Sequence, residues 1–151
     1  MTIVGDGPER SLLQGLSAEL GISGEVTFAG QREAPYPYMA RADFLVCPSR
    51  WEGSPNAVLE SLACGTPVLA SDCPGGTAEI VDPDKNGWLV PAEDWRVLGE
   101  KMIGILADRS WVPLKGKDLL PEDYRMENVV KRWKEVLLET CKKKELLLQR
   151  R

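Results

Sequence analysis

Glu52-Gly53-Ser54-Pro55-Asn56-Ala57-Val58-Leu59-Glu60 lies between two apolar runs, Asp43-Phe44-Leu45-Val46-Cys47-Pro48 and Pro67-Val68-Leu69-Ala70. Each run has the length and composition of a buried strand. Between them Val58, Leu59, Leu62 and Ala63 recur at helical spacing, and Gly65 stands where a helix takes its C′ residue. Strand, loop, helix and strand in that order make a βαβ unit. In open α/β sheets, ligands bind at the carboxyl ends of the strands. Residues 49–56 occupy that edge here. Ser54 is expected to cap the helix and Pro55 to fill its first position, where a missing N–H costs nothing.

The chemistry of the loop points the same way. A helix N-terminus beside Gly53 offers free N–H groups and a partial positive charge, which suit a phosphate. Glu52 stands at the mouth of that helix, and Glu60 lies about 7 Å further along it. Phosphate donors flanked by two acceptors for hydroxyl groups fit a nucleotide joined to a sugar. Bland readings stay open beside this one. Glu60 alone could be a helix-surface carboxylate, and Glu52 could serve only the helix dipole.

Composition narrows the class. The 151 residues suffice for one domain, which buries roughly 68–70 % of its unfolded surface. An apolar content of 43 % and a charged content of 28 % mark an ordinary globular chain. A net charge of −4 argues against non-specific nucleic-acid binding. The absence of histidine excludes a His-based triad and makes a zinc site an unreasonable expectation. Cys47, Cys64, Cys73 and Cys141 have neither metal nor disulfide spacing, so a reducing cytoplasm is expected. No apolar run reaches about 18 residues, so no span is expected, and no targeting segment is read at the start. Lys142, Lys143, Lys144, Arg150 and Arg151 form a basic end, read as a solvated tail or a contact with anionic lipid or a partner.

Along the chain, strands and helices alternate. Strands are expected at Thr2–Val4, Val26–Ala29 and Trp88–Val90, and short helices at Tyr38–Arg41 and Thr77–Val81. A helix carrying Leu12, Leu13, Leu16 and Leu20 ends near Gly21. A second, from Ala92 to Ala107, is expected to bury Trp95, Leu98, Met102 and Leu106. Residues 108–121 are irregular, and a last helix runs from Pro121 to Cys141. Such alternation indicates an α/β fold with a doubly wound, Rossmann-like parallel sheet. Residues 1–107 form its body, 108–141 its irregular segment and final helix, and 142–151 a basic tail.

Val4-Gly5-Asp6-Gly7-Pro8, Phe28-Ala29-Gly30, Ala42-Asp43, Pro48-Ser49, Glu52-Gly53-Ser54-Pro55-Asn56, Leu59-Glu60, Cys64-Gly65-Thr66-Pro67-Val68 and Asn86-Gly87 stand together in one order. In this the chain resembles the C-terminal, nucleotide-sugar-binding domain of retaining glycosyltransferases of the two-domain GT-B type, group 1 or family 4. The resemblance covers residues 2–107. It implies transfer of a glycosyl group from a nucleotide-diphosphate sugar to an acceptor hydroxyl with retention, with no metal and no cofactor beyond the substrate. Glu52 would then lie beside the donor sugar and the forming charge, as the catalytic carboxylate. Glu60 would accept from the ribose hydroxyls. Backbone N–H groups of Asn56, Ala57 and Val58, with Gly53 and Ser54, would hold the diphosphate. Gly30 and Gln31 would approach the base, while Gly5 and Gly7 shape a strand-to-helix turn or touch the ligand.

The family's domain opens with a strand and helix carrying a clamping arginine and lysine, and these are expected to be missing here. In Rossmann order 3-2-1-4-5-6 the missing strand is central. Thr2–Val4 would pair directly with Phe44–Val46, or leave edges that invite self-association. Three readings follow: the donor-binding domain of a larger enzyme, inactive alone; a binding subunit that works with a separate acceptor-domain chain; or a non-catalytic interaction domain. The expected location is cytoplasmic, free or peripheral to the inner face of a membrane.

Overall fold

The computed structural model describes residues 1–83, 85–108, 116 and 118–148, with side chains through Lys144. Among these residues five strands and six α-helices follow one another as β1 (Thr2–Val4), α1 (Arg10–Glu19), β2 (Thr27–Gly30), α2 (Tyr36–Arg41), β3 (Leu45–Cys47), α3 (Asn56–Ala63), β4 (Val68–Asp72), α4 (Thr77–Ile80), β5 (Gly87–Pro91), α5 (Trp95–Ala107) and α6 (Met126–Leu148). Every strand pairing among them is parallel, as the alternation requires. The strands fall into two sheets, β1-β2 and β3-β4-β5, and the chain divides within α2 into units Met1–Tyr38 and Met39–Arg151.

In the first unit Thr2 faces Thr27 and Ile3 faces Phe28, and the register shifts before Val4 meets Gly30. The α1 leucines form the expected stripe, but Leu12, Leu13, Leu16 and Leu20 are exposed and the one buried residue of α1 is Ser17.

In the second unit β4 is central, and Val68, Leu69 and Ala70 are fully buried. Side chains alternate across a strand. Val68 and Ala70 therefore pack on one face with Val58 and Leu62 of α3, Ile80 of α4, and Val81 and Leu119. Leu69 packs on the other with Val90 and Ile105, flanked by Phe44, Trp88, Leu98 and Met102. Helices thus cover both faces of β4, the doubly wound arrangement. Phe44 and Trp88 meet edge to face, with centroids 6.4 Å apart. The N–H of Gly65 bonds to Leu62 O and that of Thr66 to Ser61 O, both 3.0 Å, while Gly65 takes φ 71°. This pair of bonds closes α3 and releases the chain into β4.

The two longest helices depart from expectation. Asp94 caps α5 by accepting from the Val97 N–H at 3.0 Å. Trp95 and Leu106, expected in the core, are 72 % and 56 % exposed, and Ile105 is the buried residue instead. The stripe facing the sheet centres on Leu98 and Ile105. Trp95 and Leu106 lie roughly 70–90° around the helix from it, at 100° per residue. The last helix starts at Met126, after a 3₁₀ turn at Glu122–Tyr124, and runs through Leu148 rather than ending at Cys141. Lys142, Lys143 and Lys144 are consequently helical, not part of a tail. Most of the irregular segment, 109–115 and 117, lies outside the described residues, as do Arg150 and Arg151.

Candidate functional site

The residues singled out in the sequence fall into one group in each unit. In the first unit, Gly5 and Gly30 terminate neighbouring strands, and the Gly5 N–H donates to Gly30 O at 2.9 Å. Asp6 follows, its carboxylate accepting from the Gly7 N–H at 2.9 Å and from Arg10 Nη1 at 2.8 Å. Arg10 Nη2 reaches Phe28 O at 3.4 Å, so its guanidinium lies across the end of β2. Gln31 is exposed just beyond Gly30. Arg10 was missed in the sequence. Its spacing from Asp6, one helical turn, was the available signal.

In the second unit the strand β3 delivers Ser49 and Glu52 to the carboxyl edge of its sheet. Ser49 Oγ donates to Glu52 Oε1 at 2.6 Å, and the Cys47 thiol points at the same oxygen from 3.9 Å. The Glu52 N–H donates to Pro74 O at 2.9 Å, tying the loop to the one that follows β4. Gly75 lies flat against the same residue. A Cβ there would overlap the Glu52 carbonyl oxygen, and Gly75 takes φ +114°. Glu52 is half-buried as a result, held by its backbone and by its carboxylate. Burial pushes the Cys47 thiol pKa up, the Ser49 hydrogen bond opposes that, and the Glu52 charge adds to it. Cys47 is a protonated donor beside Glu52.

The entry to α3 differs from expectation. Pro55, not Ser54, is the N-cap; its backbone is non-helical and no side chain caps the helix. Ser54 Oγ turns to Asn56 Oδ1 at 3.3 Å instead. The Asn56 N–H bonds to Ser54 O at 2.8 Å and that of Val58 to Pro55 O at 3.0 Å. Two of the three expected helix donors are therefore used within the turn. Among the described residues the N–H groups of Gly53, Ser54 and Ala57 have no protein acceptor, and all three residues are exposed. Glu60 is half-buried on α3, one helical turn after Asn56. The tight first turn, forced by a proline with no N–H to give, trades cap chemistry for open loop donors.

Asp72, Leu89, Val90, Pro91 and Ala92 line a hollow of about 400 Å³ at the strands' edge, and Glu52 is not among its lining residues. No cluster of metal-ligating side chains occurs among the described residues. No helix there is long and apolar enough to cross a membrane.

Residues 1–108 match the family of glycosyl transferases group 1. The chain belongs to that family. The lipopolysaccharide core biosynthesis glycosyltransferase LpsE of Rhizobium meliloti is 37 % identical over 108 residues, 72 % of this chain and 32 % of that protein. Among solved structures, Anabaena Alr3699/HepE in complex with UDP superposes with a TM-score of 0.64 and 27 % identity, over 72 % of this chain and 31 % of that one. The GtfA/B complex gives a TM-score of 0.77 at 23 % identity, over 91 % of this chain and 29 % of its counterpart, a likeness of fold. The chain spans less than half the length of the curated relatives it matches. It is a glycosyltransferase domain with the α/β architecture of the GT-B enzymes.

Proposed function

We propose that this domain binds a nucleotide-diphosphate sugar and presents it for transfer to an acceptor hydroxyl with retention, in concert with an acceptor-binding part, and that alone it does not turn over. The observation that carries the reading is Glu52, fixed by Ser49, Pro74 and Gly75 directly before a loop whose Gly53, Ser54 and Ala57 N–H groups lack a protein acceptor among the described residues. The UDP held by the Anabaena relative supports a nucleoside diphosphate as the common ligand portion.

In this reading the open N–H groups and the end of α3 meet the diphosphate charge as the sugar departs, which is the main electrostatic task of such a transfer. Glu52 lies beside the sugar, its acceptor oxygens oriented by Ser49, and Glu60 accepts from the ribose. The site is assigned no metal, because N–H groups supply the countercharge. The four free thiols support a cytoplasmic setting.

Calorimetry with UDP, GDP and ADP tests the binding step. One of the three is expected to bind, with undiminished affinity in EDTA. No heat with any of them at millimolar concentration would overturn the reading. A bound nucleotide sugar transferred with inversion, judged by the product's anomeric configuration once the acceptor-binding part is supplied, would overturn retention alone.

A further inference from the structure

We propose that the Asn86-Gly87 pair is a spontaneous deamidation site that the fold keeps shut, so that the chain ages there only while β5 is open. Asn-Gly is the dipeptide most prone to this reaction, because a glycine leaves the following backbone nitrogen unshielded by a side chain. The Gly87 nitrogen loses its proton and attacks Asn86 Cγ. An N–Cγ bond forms, the Cγ–Nδ2 bond breaks, and Nδ2 leaves as ammonia with the proton. Water then opens the resulting succinimide on either side, giving aspartate or isoaspartate at position 86.

The fold demands both members of the pair. A Cβ at residue 87 would stand 2.2 Å from Val68 O and 3.1 Å from Val81 Cγ1, so glycine is required for β5 to approach β4 there. Asn86 is 4 % exposed, and its amide serves three backbone groups at once, Asp82 N–H, Ile80 O and Leu119 O. Aspartate would meet the two carbonyls with a charge, and alanine would serve none of the three.

The same packing blocks the chemistry. Ring closure must draw the amide toward Gly87 and away from those three partners. Gly87 is buried, so its nitrogen would have to become an anion out of water. The main chain is held too, the Asn86 carbonyl accepting from the Val68 N–H at 3.2 Å. Opening releases these restraints together. β5 is the outer strand in the order β3-β4-β5, and a local opening that detaches it frees Asn86 and Gly87 at once. Neither product then fits back. Isoaspartate adds a carbon to the main chain directly before Gly87, whose register against Val68 starts the β4-β5 pairing. Aspartate turns a carboxylate on Ile80 O and Leu119 O. A transient opening thereby becomes a permanent one.

Peptide mapping of the 151-residue chain, aged in mildly alkaline buffer across a urea series, tests the proposal, with circular dichroism giving the unfolded fraction at each step. Amide loss at Asn86 is expected to rise at least tenfold through the unfolding transition and to follow the unfolded fraction. In urea Asn86 should outrun Asn56 and Asn128 severalfold, since Ala57 and Val129 carry the side chains that Gly87 lacks. Chains separated in the converted form are expected to melt below the unconverted ones or to fail to refold. Equal rates on the two sides of the transition overturn the protection by the fold. A rate at Asn86 no higher than at Asn56 and Asn128 in urea overturns the assignment of the site. Converted chains that refold with an unchanged midpoint overturn the permanence.

Discussion

Ser49 and Glu52 are joined at the carboxyl edge of the β3-β4-β5 sheet, the serine hydroxyl donating to Glu52 Oε1 at 2.6 Å. A hydrogen bond to a carboxylate fixes which way its second oxygen points. Ser49→Ala is expected to cost only about 1 kcal/mol of stability, at the low end for a bond to a charged group because the site is half open to water. Its larger effect falls on the sugar. Affinity for a nucleotide sugar is expected to drop several-fold while that for the bare nucleoside diphosphate holds, with Ser49→Thr close to wild type. Parallel titrations of the two ligands measure the split.

Gly75→Ala is expected to disturb the same carboxylate from the backbone side. The new methyl group would overlap the Glu52 carbonyl, at a φ of +114° that side chains rarely adopt. Overpacking and backbone strain together cost about 3 kcal/mol, or roughly 6–12 °C in Tm for a chain of this size. Gly99→Ala is the matched control, since nothing stands within 4 Å of its added methyl group inside α5. It is expected to raise stability by about 0.5–1 kcal/mol. Thermal melts of the two variants should move in opposite directions.

Asn86 is buried with both ends of its amide engaged. Its oxygen accepts from the Asp82 N–H at 2.8 Å, and its nitrogen donates to Ile80 O at 3.0 Å and Leu119 O at 3.3 Å. Asn86→Ala strands these groups away from water and is expected to cost about 2–4 kcal/mol. Asn86→Asp should cost more, because a carboxylate would face two carbonyl oxygens. Urea titration compares them.

Cys47 gives the chain an alkaline limit. Its folded pKa lies above the ordinary thiol value of 9.0, raised first by burial. The folded state therefore holds this proton more tightly than the unfolded state does. That contribution is fully present below pH 9.0 and is lost as pH rises through the folded value. Unfolding midpoints measured between neutral pH and about pH 10.5 should fall less steeply above pH 9 for Cys47→Ala than for the wild type.

Legibility in the sequence followed how local each determinant is. The βαβ order and the end of α3 were readable because apolar runs and Gly65 carry their information within a few residues. The core of α5 was misread at its margins, since Trp95 and Leu106 share the helical period but not the sheet-facing direction. Ser54 has the right chemistry for a cap, yet the proline after it imposes a tighter turn. The grip of Pro74 and Gly75 on Glu52 was invisible, being a contact between loops after different strands. Asn86-Gly87 stood in the sequence only among the residues that carry the family resemblance. That the asparagine side chain also ties β5's approach to Leu119 depends on packing that no local pattern encodes.

The clamp around Glu52 also sets what can be moved. The carboxylate is oriented from three residues before it in the chain, but its backbone is held from more than twenty residues after it. A segment spanning 49–60, transplanted into another scaffold, would carry the recognisable motif and leave behind half of what aims it. The portable unit is the pair of loops on adjacent strands.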